Sequence, residues 1–264
     1  MDLQLRGKLA LVTGSTAGIG FAIAQGLARE GARVIVNGRS EQRVSKATDA
    51  IKQKHGSTEI EGFVGDLSIA EVAIRLATRY SDLDILINNL GIFEPKPFVE
   101  ITDQEWMHFF EVNVLSGIRL ARFYLPRMLK KDWGRIIFIS SESAVQIPAE
   151  MIHYGTTKTA QLAVSRGLAE LTVGSGVTVN AILPGPTASE GVTEFVDRLS
   201  QQAKQSAADF EKQFFEKMRP TSLLKRFAST EEVANLVVYV SSPAASATNG
   251  AALRVDGGVV RSIL

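Results

Sequence analysis

Thr13-Gly14-Ser15-Thr16-Ala17-Gly18-Ile19-Gly20 follows a short apolar run and opens a helical pattern, and that setting gives a glycine-rich turn its meaning. Gly14 permits a tight turn, Gly18 lets backbone approach a pyrophosphate, and Gly20 lets a helix pack closely on a strand. The helix that begins here offers unpaired N–H groups and the positive end of a dipole, both suited to an anion. Three residues separate the first two glycines, which departs from the common G-x-G-x-x-G pattern. A turn that binds nothing is the competing reading.

Outward from this turn, short apolar runs alternate with longer helical patterns, the mark of βαβ units and a parallel sheet. Residues 9–13, 33–37, 60–64, 83–87, 135–139, 177–182 and 252–255 read as seven strands. Residues 18–30, 41–54, 69–79, 103–130, 152–173 and 231–240 read as the helices between them. With no linker, repeat or low-complexity tract, residues 1–264 read as one doubly wound α/β domain. The interval from Pro184 to Phe227 is longer than a short connection needs, and it mixes Phe195, Leu199, Phe214, Phe215 and Met218 with polar residues. Such a segment after a strand's carboxyl end can cover a ligand crevice, so 187–227 is expected to cover substrate; an oligomer contact or plain surface excursion is the alternative.

Composition narrows the function. Lys and Arg number 29 against 28 Asp and Glu, a net charge of +1, so no overall field favours nucleic acid or an anionic membrane. There is no cysteine, hence no disulfide, thiolate nucleophile or cysteine metal site, which fits a reducing cytoplasm. No stretch approaches the roughly 18 apolar residues of a membrane span, and the start lacks a signal-length apolar run. His55, His108 and His153 show no ligand spacing and are expected to be surface or packing residues, with no metal site.

Tyr154 and Lys158 stand four apart, which on a helix sets a phenol beside an ammonium. A free tyrosine with a pKa of about 10 is a poor base at neutral pH, and a nearby cation favours the phenolate. Lowering the pKa by roughly three units takes about 4 kcal/mol. The spacing alone also describes many solvated helix faces.

Together with the T-G-x-x-x-G-x-G turn, further motifs are similar to those of the short-chain dehydrogenase/reductase family: Asn88-Asn89-Leu90-Gly91, Asn113 within Glu111-Val112-Asn113-Val114, Ser140-Ser141, the Tyr154/Lys158 pair, Pro184-Gly185 and Val255-Asp256-Gly257-Gly258. The resemblance implies a Rossmann-type nicotinamide enzyme, a homo-oligomer (dimer or tetramer), acting on a small carbonyl or alcohol. It implies Tyr154 as general acid/base, Lys158 as the group that lowers its pKa and holds the nicotinamide ribose, Ser141 on the substrate oxygen, and Asn113 at a water linking the lysine to solvent. It places Gly14, Ser15, Thr16, Gly18, Ile19, Gly20, Asn89, Gly91, Pro184 and Gly185 around the cofactor, with Asp66 and Leu67 at adenine; Asp66 as a helix cap is the competing reading. Leu90 stands where the family usually has alanine and calls for repacking. Glu142, Ser143 and Gln146 either line the pocket or hydrogen-bond within their own loop.

The second strand ends in Asn37-Gly38-Arg39-Ser40, without the carboxylate that would hold free ribose hydroxyls and repel a 2′-phosphate. Arg39 can pair with phosphate and Ser40 can donate to it. NADP(H) is therefore favoured over NAD(H), although Ala17 sits where many NADP-preferring relatives carry a basic residue. The expected activity is carbonyl–alcohol interconversion by hydride transfer. A catalytically silent dinucleotide scaffold or sensor and a dehydratase or epimerase are the alternatives.

Overall fold

The computed structural model describes residues 2–56, 59–191 and 206–263. In chain order, β1 (Leu9–Val12), α1 (Gly18–Arg29), β2 (Arg33–Gly38), α2 (Glu41–His55), β3 (Ile60–Val64), α3 (Ala70–Arg79) and β4 (Ile85–Asn88) form the first half. The second half comprises α4 (Asp103–Phe110), α5 (Ser116–Lys130), β5 (Gly134–Ile139), α6 (Ile152–Glu170), β6 (Val177–Pro184), α7 (Ala207–Gln213), α8 (Thr230–Val240) and β7 (Ala252–Val255).

The strands make one seven-stranded sheet in the order β3-β2-β1-β4-β5-β6-β7, every pairing parallel. Apolar residues fill both of its faces, as a sheet covered on both sides requires. Side chains alternate along each strand: Ala10, Val12, Val34, Val36, Ile85 and Ile87 join the core that includes α1 and α8, whereas Leu11, Ile35 and Leu86 join the core that includes α3 and α5. Chain order reverses between β1 and β4, and the crevice at a doubly wound sheet's carboxyl edge opens at such a point.

The helical stretch expected over 103–130 is continuous but not uniform. A π-turn, Glu111–Leu115, separates α4 from α5, and the extra residue it inserts turns Asn113 into the interior, where it is 1% exposed. Helix α6 stops at Glu170, short of 173, because Thr172 folds back, its N–H and hydroxyl both donating to the Ala169 carbonyl. Strand β6 runs to Pro184, beyond 182, held there by β7.

The segment after β6 is pinned at its base: Thr187 and Ala228 form a parallel bridge, and the Ala228 N–H donates to Pro186 O at 2.9 Å. Within it Phe214, Phe215 and Phe227 stack with ring centroids 5.1–5.2 Å apart. Phe195 and Leu199 lie outside the described residues. Among the described residues no helix is long and apolar enough to cross a membrane.

Candidate active site

The glycine-rich turn leaves β1 at the carboxyl edge of the sheet. Gly18 has φ +57°, a conformation that disfavours side chains. A Cβ on Gly20 would lie 2.5 Å from both Asn89 Nδ2 and Gly14 O, so this residue lets α1 start tight against the loop after β4. Asn89 braces the turn by donating from Nδ2 to Thr13 O (2.9 Å) and Gly14 O (3.1 Å). Ala17, the N-cap of α1, gives no side-chain cap, and the first turn holds no acidic residue. The leading amides of α1 thus keep their capacity for an anion, and the residues present fit a dinucleotide pyrophosphate.

Two residues expected at the cofactor turn their side chains inward, which leaves any contact with it to their backbone. Ser15 is fully buried; its hydroxyl donates to Val12 O at 2.6 Å and accepts the Asn37 N–H at 3.0 Å, fastening β1 to β2. The Leu67 side chain belongs to the core with Phe63 and Val72. Thr16 packs over Gly38 at the end of β2. Leu90, in place of the usual alanine, packs against the same core as Leu67.

At the tip of β2, Arg39 is 80% exposed with Nη1 4.0 Å from Asp66 Oδ2. Ser40 Oγ accepts the Arg43 N–H at 3.4 Å and caps α2. Asp66 Oδ1 accepts the N–H and hydroxyl of Ser68 at 2.9 and 2.6 Å, so its carboxylate organises the turn before α3.

At the other end, a cavity of about 260 Å³ is lined by Ser141, Tyr154 and Lys158 together with Ile19, Asn89, Gly91, Pro184 and Gly185. Lys158 lies 5.6 Å from the Tyr154 ring centroid. Its ammonium donates to Ile139 O at 2.9 Å and Gln161 Oε1 at 3.3 Å, and burial lowers its pKa to about 8. The expected depression of the Tyr154 phenol by this lysine does not appear. Burial raises the phenol above its ordinary value, the nearby Glu142 carboxylate adds to the rise, and a Ser141 hydrogen bond and the Arg219 charge act against it. The lysine is turned toward the Ile139 carbonyl, while the tyrosine is desolvated.

Asn113 ties three elements together. Its Oδ1 accepts the Ile92 N–H at 2.8 Å, and its Nδ2 donates to Ile92 O and Thr157 Oγ1, each at 3.0 Å. Its backbone carbonyl accepts Gln161 Nε2 at 2.5 Å. Gln161 therefore bridges the lysine and Asn113 directly. Its position three after Lys158, on the same helix face, is the signal that marks it in the sequence.

No local pattern in the sequence marks Arg219. Its Nε donates to Glu142 Oε1 at 3.0 Å and its Nη1 to Glu150 Oε1 at 3.3 Å. Glu142 Oε2 accepts the Ser141 hydroxyl at 2.5 Å, the Ser143 N–H at 2.8 Å and the Ser143 hydroxyl at 3.1 Å. Both readings of this loop describe Glu142 and Ser143, which hydrogen-bond to each other and also line the cavity. Gln146 Nε2 reaches Thr221 Oγ1 at 3.4 Å. His153 is buried and packs on Phe109, centroids 4.1 Å apart; among the described residues no group of three or more His, Cys, Asp and Glu could hold a metal ion.

Residues 14–260 match a family model described as enoyl-(acyl carrier protein) reductase. The chain is 49% identical over 263 residues to an uncharacterized oxidoreductase, YvaG, of Bacillus subtilis, covering 100% of both. It is 33% identical to 3-oxoacyl-[acyl-carrier-protein] reductase FabG of Aquifex aeolicus, over 98% of this chain and 100% of that one. Among solved structures it is similar to L-sorbose reductase from Gluconobacter frateurii complexed with NADPH and L-sorbose, at 31% identity and a TM-score of 0.93 over 100% of both chains.

Proposed function

The chain belongs to the short-chain dehydrogenase/reductase family, and from that premise we propose that it is an NADP(H)-dependent oxidoreductase interconverting a carbonyl and an alcohol. The observation that carries this reading is the convergence of Ser141, Tyr154 and Lys158 on one cavity that also reaches Ile19 and Gly91 beside the glycine-rich turn. The dinucleotide, when bound, supplies the hydride chemistry. The open amides of α1 suit its pyrophosphate. The exposed Arg39 guanidinium suits a 2′-phosphate, and the NADPH of the sorbose reductase structure favours the same choice; NAD(H) is the second candidate.

Tyr154 gives its phenolic proton to the carbonyl oxygen in reduction and takes it back in oxidation. Its raised pKa keeps that proton in place until the oxygen becomes basic. Lys158 holds the ribose hydroxyls, and its ammonium, 5.6 Å from the ring centroid, offsets only part of the cost that burial places on the phenolate. Ser141 has a single proton, which it shares between Glu142 and the Tyr154 oxygen. To steady a substrate oxyanion it redirects that proton, and the two donors of Ser143 keep Glu142 Oε2 satisfied as it does so. Phe214, Met218, Arg219 and Phe227 from the segment after β6 line the same cavity, which supports reading that segment as a cover over substrate. As a family member the chain is proposed to form a dimer or tetramer, which sedimentation checks.

Tyr154→Phe is the direct test, because it removes the proton and preserves the ring. The expected result is retained NADPH binding by nicotinamide fluorescence with loss of most carbonyl-dependent NADPH oxidation. Near-normal turnover by the folded variant would reject the mechanism. Cofactor binding with no turnover of any carbonyl by the unsubstituted protein would favour a silent scaffold.

A further inference from the structure

The charges around the reacting end of the cavity bear on which carbonyl compounds can enter. Its wall is largely carbon, supplied by Phe93, Pro95, Met151, Phe214, Met218 and Phe227, with Phe93 edge-on to Tyr154 at 6.3 Å. Among the described lining residues the charged groups are Glu142, Glu150, Lys158 and Arg219, and both cations are already engaged. Arg219 lies between the two carboxylates. Lys158 is buried, with its ammonium on Ile139 O and Gln161 Oε1.

A substrate carboxylate would therefore add a third negative charge to a lining whose two carboxylates are already balanced by Arg219 and Lys158, with no cation in excess to hold it. It would compete for the Arg219 charge with Glu150 and with Glu142, whose side chain is 6% exposed, and could take that charge in full by drawing Arg219 off Glu142. That would leave a buried carboxylate without its counter-charge, the costly way to break such a pair. An uncharged carbonyl compound meets none of these penalties, and an apolar substituent gains contact with the aromatic wall.

Resting on the oxidoreductase reading above, we infer that the cavity takes an uncharged ketone or aldehyde bearing an apolar substituent and excludes its carboxylate analogues, with Arg219, Glu142 and Glu150 as the specificity-determining set. The chemistry asks for a substrate delivered by a reaction that leaves a neutral carbonyl, not a free oxo acid.

The test uses a matched pair, methyl 3-oxobutanoate and 3-oxobutanoate, which share a skeleton and differ in charge, with L-sorbose as a neutral but hydroxyl-rich third compound. NADPH oxidation by the full chain should give a kcat/KM for the ester at least about 100-fold above that for the acid, since like-charge juxtaposition costs several kcal/mol. The ester should also exceed L-sorbose. In Glu142→Gln, which frees Arg219, the ester-to-acid ratio should fall by about 10-fold or more. That ratio is taken within one protein, so any loss common to both substrates cancels. An acid turned over as well as the ester, L-sorbose preferred to the ester, or an unchanged ratio in Glu142→Gln overturns the inference and leaves the oxidoreductase reading standing. No turnover of any of the three by folded, NADPH-binding protein overturns both.

Discussion

Replacing Lys158 by methionine should change how stability depends on pH, and the structure sets the size of the change. The side chain is 4% exposed, and burial lowers its pKa from 10.5 to about 8. Between those values the unfolded chain holds a proton that the folded chain does not, so folding becomes more favourable as pH rises through this window. Below about pH 8 the lysine is charged in both states, and the folded chain bears the full cost of burying the ammonium. The interval from 8 to 10.5 corresponds to about 3 kcal/mol at about 1.4 kcal/mol per pH unit. Methionine is similar in size and carries no charge, but it leaves Ile139 O and Gln161 Oε1 without the lysine donor, a loss of about 1–3 kcal/mol for a buried acceptor. The two effects nearly offset at pH 7, so the proteins should unfold at similar urea concentrations there. By pH 10.5 the wild type should have gained about 3 kcal/mol on the variant. Urea titrations read by the fluorescence of Trp106 and Trp133, at one protein concentration, measure the difference at each pH. Groups remote from residue 158 titrate alike in both proteins, and the folded Tyr154 phenol, raised by burial, stays protonated across this range, so the difference isolates residue 158. A wild-type-minus-variant difference that stays flat from pH 7 to 10.5 would refute the reasoning.

Three further outcomes are expected. Arg219→Ala should destabilise the fold by about 3 kcal/mol or more, since it strands the buried Glu142 carboxylate; adding Glu142→Gln should recover much of that loss in thermal or urea unfolding, and simple additivity would count against a coupled pair. Gln161→Leu keeps the volume but removes the bridge between Lys158 and Asn113, so the pH profile of kcat should move while the unfolding free energy changes by no more than about 2 kcal/mol; a superimposable profile would make Gln161 a packing residue only. Arg39→Ala should weaken NADPH binding much more than NADH binding, because the exposed guanidinium at the end of β2 is assigned to the 2′-phosphate, and equal losses in fluorescence titrations would remove that assignment.

The order of the elements follows from local pattern. The apolar runs at 9–13 and 33–37, each followed by a helical period, already specify buried parallel strands, because a sheet covered on both faces needs apolar side chains in both directions. The glycine-rich turn and the Tyr154/Lys158 spacing were legible for the same reason: they depend on backbone angles and on helix periodicity within a few residues. What pattern could not reveal is where a side chain turns once the layers meet. Ser15 lies in the turn but points into the sheet, because β2 delivers the Asn37 N–H there. The π-turn that carries Asn113 inward interrupts an otherwise ordinary helical period. The Asn113 carbonyl meets Gln161 across 48 positions of chain, and Glu142 meets Arg219 across 77. The shift of the Tyr154 phenol runs opposite to the direction its spacing from Lys158 suggests, for a related reason. A partner four residues away is visible in the sequence, whereas desolvation is a property of everything packed around the ring. Long-range pairing and burial set the charges of this site, and both come into being only when the chain has folded.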